Sequence, residues 1–208
     1  MTGKYIFIVF PTFWKCCTLI ICKHLLEPAN TIPTAIVERA VHGDADAQAL
    51  LYQQYAKAMF NICIRMAGNR RDAEDILQEA FLKAFQQLQQ LREAALFGGW
   101  LKKIVINECI GYSKRSFYWD DWNDAADNIV DEDTSPWWAS VSLRLLHNTI
   151  KKLPEGCRQI FVLYAMEDHS HKEIAAELGI SEGTSKSQYH RAKQLLKEKI
   201  SIQINIYG

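Results

Sequence analysis

Lys186, Ser187, Gln188, His190 and Arg191 crowd into one short stretch near the C-terminus. Cations of this kind can meet phosphates or guanine edges, and hydroxyl, amide and imidazole groups can hydrogen-bond base edges. At 100° per residue, Ser185, Tyr189, Ala192 and Leu196 fall on one apolar side, leaving Lys186, Ser187, His190, Gln194 and Lys197 opposite and Arg191 at the flank. A solvated basic helix would show the same two faces, so the helix alone leaves both readings open.

What precedes the helix narrows the choice. Ser170 and Glu173 have the S-x-x-E spacing of a capping box, in which each side chain satisfies an amide at a helix start. Ile174, Ala175 and Leu178 give a short apolar stripe, and Gly179 stands where a helix end favours positive φ. Ser181 can cap the next helix after a turn short enough for a helix-turn-helix corner. Two helices this short bury little, so Arg158 to Met166 is expected to pack across them as a third. Such a corner presents the N-terminal half of its second helix outward, as major-groove readers do. The C-terminal segment is therefore read as binding DNA.

A second set of residues lies further upstream. Trp100, Lys103 and Asn107 are spaced by three and four, so an aromatic, a cation and an amide share one helix face. That face can stack on an unpaired base, grip a phosphate and bond a base edge. A tryptophan anchoring the core beside ordinary polar residues fits the spacing equally well. Phe97-Gly98-Gly99 reads as the loop before this helix, whose Leu101, Ile104, Val105 and Ile110 suit the core. In the helix from Asp72 to Phe85, Ala73, Ile76, Ala80 and Ala84, followed by Leu88, form a buried side. Asp75, Gln78, Glu79 and Leu82 line the other side, which is either a solvated acidic face or, given Leu82 among acids, a docking surface. Gly43-Asp44 ends one helix and caps another running to Ala67, where Gly68-Asn69 stops it.

These helices must sit in a chain of 208 residues with zero formal charge, so no global field drives it to nucleic acid. Charge is placed locally instead. Trp119 to Ser135 holds seven acids and no base, whereas Ser181 to Lys199 holds five Lys/Arg against two Glu. The acidic stretch lacks helical periodicity and reads as a linker, either a solvated tether or, given Trp119, Trp122, Trp137 and Trp138, one lying against protein. Six cysteines without C-x-x-C spacing suit a reducing cytoplasm, and Cys157, His169 and His171 are too scattered to suggest a metal. Within the first thirty residues the apolar runs Tyr5 to Trp14 and Cys16 to Ile21 are interrupted by Pro11 and Lys15, and neither reaches a span of about 20 residues. This segment is taken as an extension of unknown role, with a membrane anchor left open. No phosphate-cradling loop, nucleophile elbow or zinc-protease helix is seen, so no enzyme and no cofactor are expected. The expected fold is all-α: an extension (1–33), a helical domain (34–115), an acidic linker (116–138) and a helix-turn-helix domain (139–202).

Taken in order, Ala73-Glu-Asp-Ile-Leu-Gln-Glu-Ala-Phe-Leu82, Trp100-Leu with Asn107, Leu153-Pro154 and Glu173 to Ser187 resemble extracytoplasmic-function sigma factors of bacterial RNA polymerase. The likeness runs from about Thr34 to Lys199. It implies that Asp75, Gln78, Glu79 and Leu82 dock on core polymerase. It implies that the loop Arg92 to Gly99, Phe97 included, with Trp100, Lys103 and Asn107, captures the −10 promoter strand. Lys186, Ser187, Gln188, His190 and Arg191 would read the −35 duplex. In the family, such a linker threads the polymerase's RNA path. An anti-sigma inhibitor is a further partner the resemblance allows; a small-molecule substrate is not. Ser185, Gln188, Tyr189 and Gly111 depart from the commonest residues of the pattern, which bears on promoter preference. The alternative is a stand-alone helix-turn-helix regulator binding palindromic operators as a dimer.

Overall fold

The computed structural model describes residues 33–116 and 141–207; the N-terminal extension and nearly all of the acidic linker lie outside these. All regular structure among the described residues is helical. The first domain holds α1 (Thr34–Val41), α2 (Ala45–Ala67), α3 (Arg70–Gln86) and α4 (Phe97–Ser116). The second holds α5 (Leu143–Ile150), α6 (Glu155–Ala165), α7 (His171–Leu178) and α8 (Glu182–Tyr207).

Local chemistry sets the boundaries. Asp44 caps α2 by accepting the amides of Asp46 and Ala47 at 3.0 and 3.1 Å. The Ala47 amide, followed by the Arg39 guanidinium, holds the Asp44 carboxyl below its usual range. Gly68, at φ +81°, closes α2 in the left-handed region, and Asn69 opens α3 by accepting the Asp72 amide at 3.0 Å. The expected apolar side of α3 is buried throughout: Ala73, Ile76, Ala80 and Ala84, with Leu88 just beyond. It packs between α2 and α4, whose Leu51, Met59, Leu101 and Val105 are buried in the same core.

One expected loop is a helix. Phe97-Gly98-Gly99 forms the first turn of α4, after two single 3-10 turns at Leu88–Gln90 and Ala94–Leu96. The reason is packing. A side chain on Gly98 would meet the Tyr55 ring at 3.1 Å, and Phe97 meets the same ring edge-on at 5.2 Å. Burying Phe97 outweighs the about 1 kcal/mol that each helical glycine costs.

In the second domain α6 packs on α7 and α8, as the Arg158–Met166 stretch predicts. It is also buried on its remaining side, because α2 of the first domain lies there.

Candidate nucleic-acid interface

The corner that aims α8 is built from short-range bonds. Ser170 Oγ accepts the Glu173 amide at 3.2 Å, and Glu173 Oε2 accepts the Ser170 amide at 2.7 Å, which completes the capping box. The Ser170 hydroxyl, then its amide, keeps the Glu173 carboxyl below its ordinary value. Gly179 turns the chain at φ +74°, and Ser181 Oγ accepts the Thr184 amide at 2.9 Å to start α8. Aromatic packing then fixes the angle: the Tyr164 and His171 rings stack at 4.1 Å, and Tyr164 meets Tyr189 at 4.6 Å. His171 Nδ1 lies 2.9 Å from Ser185 Oγ, tying α7 to the buried side of α8.

The two faces of α8 come out as the spacing predicts. Ser185, Tyr189, Ala192 and Leu196 are buried, while Lys186, Arg191, Gln194 and Lys197 are exposed and Ser187 and His190 half-buried. Lys186 Nζ sits 2.9 Å from Glu182 Oε1 one turn back, and Ser187 Oγ donates to the Thr184 carbonyl at 3.0 Å. His190 Nε2 and Gln194 Nε2 are 2.8 Å apart, so the ring nitrogen accepts from the amide. Gln188 differs from its neighbours. Its Oε1 accepts a hydrogen bond from the buried Cys157 thiol at 3.0 Å, which turns the amide oxygen toward α6 instead of outward.

In the first domain Trp100 is half-buried and Lys103 and Asn107 are exposed along α4. Phe97, expected on a strand-capturing loop, is 1% exposed; it sits under Trp100, with ring centroids 6.1 Å apart. Its burial places it as a support for the tryptophan. Within the expected Arg92–Gly99 loop, Leu96 was not singled out, yet it is 58% exposed immediately before α4. On α3, Asp75, Gln78, Glu79 and Leu82 are all exposed, Leu82 at 58%. Lys83 beside them is drawn toward α4 by Glu108, at 2.7 Å.

Comparison with known proteins fits this geometry. Residues 51–116 match Sigma-70 region 2, and residues 143–196 match Sigma-70, region 4. The ECF RNA polymerase sigma factor SigW of Bacillus subtilis is 32% identical over 176 residues, covering 79% of this chain and 94% of the relative. The chain belongs to the ECF sigma factors of RNA polymerase. Another member, SigE of Mycolicibacterium smegmatis, is 31% identical, with 85% of this chain and 71% of that one covered. Among solved structures, the sigma factor RpoE in complex with the anti-sigma factor NepR from Bartonella quintana aligns with a TM-score of 0.44 at 20% identity, over 74% of this chain and 96% of that one. In this sigma factor, region 2 thus spans most of α2 with α3 and α4, and region 4 spans α5 to the middle of α8. Sigma factors are initiation factors and not enzymes. Among the described residues, no helix is long and apolar enough to cross a membrane.

Proposed function

We propose that this sigma factor joins core RNA polymerase through the α3 face of Asp75, Gln78, Glu79 and Leu82 and divides promoter recognition between its two DNA-facing surfaces. Lys186 and Arg191 fix and read the −35 duplex, with Ser187 and His190 beside them. Gln188 has its amide nitrogen left to offer, a donor suited to phosphate or guanine acceptors. Trp100 stacks on an unpaired base of the −10 strand while Lys103 holds phosphate and Asn107 bonds a base edge. Phe97 keeps Trp100 in place from below. The work is done in the cytoplasm, where Cys63, Cys109 and Cys157 stay free thiols. The Cys63 thiol beside it, then burial, pushes Cys109 well above the ordinary thiol range, so it remains protonated and unreactive.

One observation carries the reading: two modules of one family follow in that family's order, each with its polar face exposed and its apolar face buried. The test is a reconstituted holoenzyme. Core polymerase plus the full chain is expected to protect and open selected promoters that core alone leaves closed, and indifference of core polymerase to the chain would overturn the reading.

A further inference from the structure

The boundary between the two domains contains a buried cluster of charge that the proposed promoter reading leaves unused. Glu167, in the turn between α6 and α7, has no exposed side-chain surface. One of its carboxylate oxygens lies 3.2 Å from Arg65 Nη2 on α2, and the other 2.8 Å from Lys102 Nζ on α4. The turn bends beside it at Asp168, which takes φ +66°, a left-handed conformation that aspartate adopts more readily than most residues with a side chain. Nearby, Arg158 of α6 reaches the other domain as well. Its guanidinium donates to the Met66 and Ala67 carbonyls at 3.2 and 2.9 Å, and to Leu153 of its own domain at 3.0 Å. The last carbonyls of a helix have no partner within the helix, so Arg158 serves as the terminal cap of α2. Gly68 makes room for it, since any Cβ there would come within 2.5 Å of the guanidinium carbon.

The docked arrangement cannot read a promoter. Two bodies of this size have radii of gyration of about 11–12 Å, so side by side they span about 60 Å end to end. The −35 and −10 elements are about 25 base pairs apart, or about 85 Å at 3.4 Å per step. We infer that Arg158 and the Arg65–Glu167–Lys102 cluster form an intramolecular latch that holds this sigma factor closed, and that it must release before both promoter elements are engaged. This rests on the promoter reading given above.

The chemistry suits a latch better than a permanent weld. Buried ion pairs fix register strongly yet contribute little net stability, because the charges lose hydration on closing and regain it on opening. The closed form also leaves Arg65 Nε buried without an acceptor, a cost that opening removes.

The test uses the full chain in three forms: wild type, Glu167→Gln and Arg158→Ala, each checked for unchanged helix content by circular dichroism. Small-angle scattering of the free proteins is expected to give a compact wild type and expanded variants. If closed molecules outnumber open ones about tenfold, each variant, bound to core polymerase, should engage a two-element promoter with about tenfold higher apparent affinity. A wild type as expanded as the variants overturns the latch. So does an expanded variant whose promoter affinity matches that of an active wild type. If no form binds core polymerase, the sigma reading and the latch's role in it both fall, while scattering still reports separately whether the domains dock.

Discussion

Arg191 and Lys186 are both exposed cations on α8, yet the proposed reading gives them different tasks, and the tasks are separable. Arg191→Ala is expected to cost about 1–3 kcal/mol in −35 recognition if the guanidinium meets a base edge. Competition between promoters with altered −35 bases would show it, and unchanged base preference would remove Arg191 from the reading set. Lys186→Ala should instead weaken all sequences alike and lower the salt slope of binding by about one. Asn107→Ala should impair strand opening, followed by permanganate reactivity of unpaired thymines, while closed-complex formation persists. Equal loss of both would make Asn107 structural. Residue types and helical spacing were enough to place these three on exposed helix faces, because exposure on a helix follows from periodicity. They were not enough for Gln188 and Phe97. A thiol on α6 takes the amide oxygen of Gln188, and a tyrosine on α2 buries Phe97, and neither neighbour is close in sequence.

Elements were more legible than side chains, since caps are local. The capping box at Ser170, the Gly179 stop, the Asp44 cap and the Gly68-Asn69 break all stand where the sequence puts them. A substituted Gly179 would meet no neighbour, so Gly179→Ala should pay only for its left-handed φ, about 1–2 kcal/mol, seen as a lower urea midpoint. The capping box also carries a pH signature. Because Glu173 titrates below its ordinary value of 4.5, its contribution is full above that pH and is lost as pH falls through the lowered value. The urea midpoint of wild type should exceed that of Glu173→Gln at neutral pH, and the gap should close in acid. A gap independent of pH would mean that the carboxylate does not act through its charge. The element that local chemistry misjudged, the start of α4, was decided by tertiary packing of Tyr55 over Gly98.

At the scale of the molecule, family order was readable from motifs, but the contact between domains was not. Neither Arg65 nor Glu167 stands in a motif, Arg158 lies in a stretch read only for its apolar packing, and Arg65 and Glu167 are 102 positions apart. Binding to polymerase is a whole-molecule property, and the proposed reading rests it on the α3 face where Leu82 stands exposed among Asp75, Gln78 and Glu79. Leu82→Glu should abolish assembly with core polymerase in gel filtration without lowering the melting temperature, because the side chain is 58% exposed. A lowered melting temperature would instead mark Leu82 as part of the fold. One more consequence follows from the guanidinium seated on the Met66 and Ala67 carbonyls. The final turn of α2 borrows its terminator from a segment more than ninety residues downstream, so that turn should fray whenever the two halves part. Deuterium uptake at a handful of amides before Gly68 would then act as a built-in gauge of separation, fast once both promoter elements are engaged and slow in the solitary chain.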